Sequence, residues 1–327
     1  MAIINSYKRR SPRNRTIVIT EEDRTKYSPK LITELPSNRL LSPLVGIIHG
    51  DYKDWVGLLP LAQVDLLFLD PPYNLDKSFN GKKFSQQSVE DYTKWLDGVL
   101  SILKPTLKTT ASIYICGDWF TSISIYLAAS KHFIVRNRIT WEREKGRGSK
   151  SNWKNSSEDI WFCTMSNKYT FNVESVKLRR KVLAPYKVNG KPKDWNETAE
   201  GNYRNTYPSN IWTDITIPFW SMPENTTHPT QKSEKLLAKI ILASTNNDDF
   251  VLDPFLGSGT TAVVAKKLGR RYLGIEIDQE YSLIALKRLE MADENGSIQG
   301  FSDGIFWERN TLAEQYSFSS SNYKVKC

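Results

Sequence analysis

Cysteine is scarce in this chain, and so is histidine. Three Cys occur in 327 residues, at 116, 163 and 327, with no spacing that suggests a disulfide framework. They read as reduced thiols, buried or terminal, which suggests a reducing compartment. His49, His132 and His228 are scattered, so no metal-ligand cluster and no bound metal is expected. No apolar run is long enough to span a bilayer, and the N-terminus lacks a signal-peptide core. The expected location is the cytoplasm. No internal repeat is evident, which leaves one large domain with an insertion, or two domains.

What is abundant is positive charge, and its placement matters more than the net +9. Residues 1–30 hold 8 Lys/Arg against 3 Asp/Glu, and residues 136–204 hold 16 against 8. The rest holds 21 against 25. The basic middle segment interleaves Trp141, Trp153, Trp161, Tyr169, Phe171, Tyr186, Trp195 and Tyr203. Basic plus aromatic is what phosphate and base contacts need. A solvated basic surface over ordinary core aromatics is the plainer reading.

The apolar run Val64 to Phe68 reads as a buried strand of a parallel sheet. It leads into Leu69-Asp70-Pro71-Pro72-Tyr73. Ligands in open α/β sheets sit at carboxyl ends of strands. The prolines fix φ and carry no N–H, so nearby carbonyls are rigid and unmasked. Asp70 and the Pro71 carbonyl can each accept one N–H of an exocyclic amine, favouring a pyramidal nitrogen with an available lone pair. Tyr73 offers a face for a base to stack on. Together they suit alkylation of an amino group on a flipped base. Taken alone, the stretch could equally be a strand-ending turn with a solvated carboxylate.

A second stretch, Phe250 to Thr261, reads as strand, Gly-rich turn and helix start. It carries Asp253, Phe255, Gly257, Ser258, Gly259 and Thr260 as candidate ligand-binding positions. Gly257 and Gly259 permit a tight turn and close approach of a ligand. The helix runs to Leu268 with Gly269 at its C-cap, and Arg271 to Ile277 is another strand. Glu276 lies at its end, where a carboxylate can grip two ribose hydroxyls. Ala262 stands where a dinucleotide fingerprint has its third glycine, and no P-loop Lys-Ser/Thr follows. The pattern favours a nucleoside without a pyrophosphate.

This pair of motifs resembles the S-adenosylmethionine-dependent amino methyltransferases of DNA. The order, catalytic motif first and Gly-rich motif last, is similar to the β class, as is His228-Pro229-Thr230-Gln231-Lys232. The resemblance spans roughly residues 40–295. It implies S-adenosylmethionine as cofactor, duplex DNA as substrate and, often, a companion restriction endonuclease. It implies that Asp51, after Gly50, faces the cofactor adenine; a helix N-cap before Trp55 to Leu59 is the alternative. It favours adenine N6, because cytosine-N4 members more often have Ser at the position of Asp70. An amino methyltransferase acting on RNA or protein, and a non-catalytic DNA-binding module, are the other readings.

The remaining chain supplies the frame. Residues 1–36 show no periodicity and read as a basic, mobile arm around Arg9, Arg10, Arg13 and Arg15. Val45 to His49 is a short strand. Asn74 to Ser85 is a polar loop, and Ser88 to Leu103 is a helix ended by Pro105. Ala111 to Gly117 is a buried strand and Asp118 to Lys131 a helix. Ile134 to Trp141 and Ile160 to Met165 are strands around a Gly/Lys/Ser-rich loop. Pro229 to Ser244 reads as a helix whose start, with Thr230 and Lys232, could hold the methionine carboxylate of the cofactor. From Tyr169 to about Asn225 regular patterning fails. The resemblance places target recognition there; a structural insertion or a dimerisation surface is the alternative.

The expected fold is α/β: a Rossmann-like, mostly parallel methyltransferase sheet with helices on both faces and an irregular inserted target-recognition region. Residues 37–168 and 226–295 form the catalytic and cofactor domain, 169–225 the recognition region, and 296–327 a loosely attached tail. The protein is expected as a monomer or homodimer, without membrane contact.

Overall fold

The strand Val64–Leu69 alternates its side chains between two faces, and both faces are apolar. Leu66 and Phe68 pack on one side, and Leu67 and Leu69 on the other, all essentially inaccessible. A strand buried on both sides needs helices above and below it. This computed structural model of the protein supplies them. It describes residues 11–34, 44–79, 82–143, 148–182, 186–198, 201–309, 311 and 315.

Among the described residues the main sheet has eight strands: β1 (Gly46–His49), β2 (Val64–Leu69), β3 (Leu107–Gly117), β4 (Ile134–Glu142), β5 (Ser157–Thr164), β6 (Ile211–Trp212), β7 (Phe250–Asp253) and β8 (Arg271–Glu276). Their order is β1-β8-β7-β2-β3-β5-β4-β6. Neighbours run parallel except where β5 lies antiparallel between β3 and β4. The helices α2 (Tyr52–Val56), α3 (Val89–Leu103) and α4 (Thr121–His132) cover the face of Leu67. The opposite face packs on α5 (Glu234–Ser244) and α6 (Thr260–Lys267). The expected architecture is therefore present.

The connections locate the crevice. From β2 the chain crosses through α3 to β3 on one side, and from β7 it crosses through α6 to β8 on the other. The winding reverses between the adjacent parallel strands β2 and β7, which is where open α/β sheets bind ligands. Asp70 follows one of these strands and Asp253 ends the other.

Three expectations fail at the periphery. The N-terminal stretch is not a mobile arm from residue 11 onward. Ile17 bridges to Thr226, and Glu21–Tyr27 forms a helix, α1, whose Thr20 and Asp23 cap each other. Buried Tyr27 packs on α7 (Gln279–Glu294), and Asp23 pairs with Lys287 at 2.6 Å. The capping box and one buried aromatic suffice to dock a seven-residue helix that periodicity could not reveal. Arg9 and Arg10 lie outside the described residues.

The segment after residue 169 is not irregular throughout. Asn196–Thr198, Gly201–Thr206, Leu178–Lys181, Ile305–Trp307 and Phe301–Ser302 lie side by side in that order as a second sheet. Two of those strands come from the expected loose tail, where Phe306 and Trp307 are fully buried. Tyr203 meets Trp307 edge-on with centroids 6.1 Å apart. Lys235 of α5 donates to the carbonyls of Asp214, at 2.8 Å, and Trp307, tying this sheet to the main one. Lastly, the expected loop after Tyr73 contains a short hairpin, Lys77–Phe79 with Lys82–Phe84. Among the described residues no helix is long and apolar enough to cross a membrane.

Candidate active site

Asp70 leaves β2 at its carboxyl end, and the turn after it is clamped. Tyr92 of α3 donates its hydroxyl to the Pro72 carbonyl at 2.7 Å. The Asn74 amide exchanges two hydrogen bonds with the Gln87 backbone, and Asn74 N–H reaches Thr121 Oγ1 at 3.0 Å. With two prolines fixing φ, this turn has little freedom left. The Tyr73 hydroxyl donates to Asp70 Oδ1 at 3.0 Å. Burial, and then the Asp70 charge, push that phenol well above its ordinary range.

Lys232 sits in this cluster. Its ammonium donates to Asp70 Oδ2 at 2.6 Å and stands 3.3 Å from Glu158 Oε2. Burial alone would lower its pKa, but the charges of Asp70 and Glu158 more than offset that and hold it above the ordinary lysine value. Helix α5 begins at Glu234, after the N-cap Ser233, and not at Pro229 as expected. Residues 226–233 are held as a turn by Gln231, which accepts from Thr226 at 2.8 Å and donates to the Glu224 carbonyl at 2.7 Å. A serine at the N-cap and a fully used glutamine amide outcompete an earlier start. Thr230 and Lys232 are thus turn residues, and no helix N-terminus lies at Thr230.

The Gly-rich turn faces Asp70 across the crevice. Gly257 has φ of +55° and Gly259 of +86°. A Cβ on Gly257 would come within 3.0 Å of His228 Nε2, and one on Gly259 within 2.5 Å of Ala285 Cβ. Gly257 N–H donates to Glu276 Oε2 at 2.7 Å, and Asp278 N–H to Glu276 Oε1 at 2.8 Å. Burial raises the Glu276 pKa, and these N–H groups pull it back. Asp253 is spent on the turn: it accepts from Thr261 Oγ1 at 2.6 Å and Phe255 N–H at 3.0 Å. Burial still lifts its pKa to about 7. Beneath the turn, Arg288 donates to the Ser258 carbonyl and Thr260 Oγ1, both at 2.9 Å.

One cavity of about 360 Å³ joins these pieces. Asp51, Asp70, Pro71, Pro72, Tyr73, Thr230, Lys232, Asp253, Phe255, Gly257, Ser258, Thr260 and Glu276 all line it. Gly259 does not; it is needed for the close packing of α6 on α7. Asp51 plays the capping part left open above, accepting from Lys53 N–H at the start of α2, while also lining the cavity. Phe255 forms an aromatic wall with Tyr52, at 4.9 Å between centroids, and Trp95, at 6.4 Å.

A family model described as DNA methylase matches residues 64–287, from the start of β2 into α7. The chain belongs to the DNA methylase family. The methylase is 35% identical to the DNA adenine methyltransferase YhdJ of Escherichia coli (strain K12), over 82% of this chain and 92% of that protein. It is 29% identical to the type II methyltransferase M.BglII of Bacillus subtilis, over 88% and 82%. In fold it is similar to the PvuII DNA methyltransferase (cytosine-N4-specific), with a TM-score of 0.57 at 18% identity, covering 76% of this chain and 87% of that one.

Several residues of the methylase site have no motif to announce them. Glu158 and Arg143 reach the cluster from two antiparallel strand ends, and Trp95 and Tyr281 line the cavity from helices. His228 packs edge-on against Tyr281 with centroids 4.4 Å apart, and its ring faces Gly257. Trp95 was readable only as one residue of an amphipathic helix. Glu158 carried no local signal, because an acid in an alternating strand ordinarily points to solvent.

Proposed function

We propose that this methylase transfers a methyl group from S-adenosylmethionine to the N6 amine of a flipped adenine within a short duplex sequence. The observation that carries the reading is the placement of Asp70 and the Gly257 turn on adjacent parallel strands, opening into one cavity at the winding reversal. The cavity suits the cofactor. Its wall carries Asp51, Asp70, Glu276 and Asp278 against Lys53 and Lys232, an acidic excess that favours a cationic ligand, beside the aromatic surface of Tyr52 and Phe255. Each Glu276 oxygen accepts one N–H and retains a lone pair for a ribose hydroxyl. Gly257 leaves room at the turn that any side chain would fill. When bound, the cofactor supplies a methyl group on a sulfonium, already a good leaving group.

The chain's part is positioning, which can supply much of the rate enhancement. Asp70 and the Pro71 carbonyl take the two N–H groups of the amine and leave its lone pair directed into the cavity. Tyr73, fixed by its bond to Asp70, stacks on the base. Asp70 is also an acceptor for the proton that the alkylated nitrogen must lose. The basic second sheet and the loop of residues 148–156, where Trp153 is 94% exposed, supply phosphate and base contacts. The adenine target draws on the name of the YhdJ relative. The type II relative supports a companion restriction endonuclease.

Methyl transfer from labelled S-adenosylmethionine to unmethylated genomic DNA, followed by nucleoside analysis, tests the proposal. N6-methyladenine is expected. N4-methylcytosine would keep the mechanism and overturn the target base; no label in DNA would overturn the substrate.

A further inference from the structure

Four charged side chains, Asp70, Lys232, Glu158 and Arg143, contact one another in succession, the first two of them lining the cavity. Asp70 Oδ2 holds Lys232 Nζ at 2.6 Å, and Lys232 Nζ stands 3.3 Å from Glu158 Oε2. Glu158 Oε1 in turn holds Arg143 Nη1. The Lys232 and Glu158 side chains are only 5% and 3% exposed. Among the described residues Glu158 Oε2 has no hydrogen-bond partner, although the lysine ammonium is its neighbour. A buried carboxylate oxygen without a hydrogen-bond donor is costly. It is an acceptor held ready beside a cation that is bonded elsewhere.

Asp70 is in the opposite state. Tyr73 occupies Oδ1 and Lys232 occupies Oδ2. A target amine must enter this filled shell, and a charge-assisted bond of 2.6 Å competes strongly with a neutral N–H.

We propose that Lys232 is a two-position cation, bonded to Asp70 while the site lacks a base and shifted onto Glu158 Oε2 when the amine of the target base takes Asp70 Oδ2. The inference rests on the amino-methyltransfer reading and names how that site admits its substrate. Between two carboxylates the ammonium exchanges one partner for the other without crossing an apolar gap. Lys232 and Glu158 are then positioning residues, acting through Asp70. On this proposal Lys232 serves Asp70 in place of the cofactor carboxylate.

Among the described residues the groups around Asp70 and Lys232 are Tyr73 from the Asp70 turn, Tyr92 from α3, Cys116 from β3, Glu158 from β5 and Asp253 from β7. Lys232 is the cation among these described groups. Removing its charge therefore leaves Asp70 without its cation, whereas removing the Glu158 charge takes away the cation's second position. The test is kcat and the KM for DNA of wild type, Lys232→Met and Glu158→Gln, with cofactor affinity measured by titration. Lys232→Met is expected to lower kcat about ten-fold, with cofactor affinity unchanged. Glu158→Gln is expected to lower kcat about ten-fold with the KM for DNA little changed, since the ammonium has lost its second position. Should Glu158→Gln fail to fold beside Arg143, Glu158→Asp keeps the charge, shortens the reach and is expected to lose part of kcat. A wild-type kcat in the folded Glu158 variant overturns the proposal. So does an unchanged kcat together with weakened cofactor binding in Lys232→Met. A wild type that labels no DNA overturns the amino-methyltransfer reading itself, and this inference with it.

Discussion

The main sheet and the second sheet of this methylase are built by different means. β2 and β7 are short apolar runs, each followed within a few residues by the groups that line the cavity. Their fold and their chemistry are written in the same ten residues. The second sheet joins strands from 178–206 and 301–307, separated by about a hundred residues of main-sheet chain, and its strands carry Arg179, Arg180, Lys181 and Arg204 against one acid, Glu197. Apolar alternation fixes strand register only where a face is buried. In Leu178–Lys181 only Leu178 is buried, so no apolar alternation marks the strand in the sequence. The reacting groups thus belong to a frame whose stability and function coincide, while the basic surface is carried by a module held on by a few anchors.

The difference can be broken first at Asp70. Asp70→Ala is expected to lower methyl transfer by about a thousand-fold or more, because it removes the acceptor that orients the amine. Cofactor affinity, measured by titration, should survive. Near-normal turnover would remove Asp70 from the mechanism. The anchor of the second sheet is the matching point. Phe306 is fully buried and packs on Phe301 with centroids 4.5 Å apart. Phe306→Ala should cost about 3–5 kcal/mol by denaturant unfolding. If the sheet is a separable module, the loss will show as an early transition with cofactor binding retained. A single transition that takes cofactor binding with it would show one cooperative unit.

Gly257→Val tests the frame at its narrowest point. A φ of +55° is strained for a β-branched residue, and the Cβ would meet His228 at 3.0 Å. Cofactor affinity should fall about a hundred-fold, with thermal stability changed much less, since the turn borders the cavity. Unchanged affinity would move the cofactor elsewhere.

What could be read from residues alone follows the same division. β2, β7, the Gly257 turn, the capped helix α3 and Gly269 past the end of α6 are local patterns, and the structure has them. Lys232 was read from its motif, but its partners Asp70 and Glu158 lie 162 and 74 positions away, and spacing does not encode them. The C-terminal strands were missed for another reason. Asp303 and Gly304 have φ of +52° and +72°, the geometry of a tight two-residue hairpin, and aromatics flank them. That signal was present, but a two-residue strand beside Gly and Ser does not show periodicity. The docking of α1 depended on one buried Tyr and ion pairs to α7, which no window of sequence contains.

The smallest expected effect concerns the tip of the basic region. Lys187–Val188 and Lys191–Pro192 pair across a turn at Asn189 and Gly190, which places Lys187, Lys191 and Lys193 on one exposed hairpin. If these lysines meet phosphate, replacing all three by Gln should weaken DNA binding about ten-fold near physiological salt. It should also reduce the slope of log affinity against log salt by about one for each phosphate that a lysine no longer neutralises. Cofactor affinity and transfer at saturating DNA should not change, because the hairpin does not border the cavity. An unchanged salt slope would assign the hairpin to a structural insertion or a subunit interface, and the recognition surface would then have to lie closer to Trp153. A reduced slope with unchanged sequence preference would make the hairpin a reader of the DNA backbone, since phosphate bonds fix register and orientation while base edges carry the sequence.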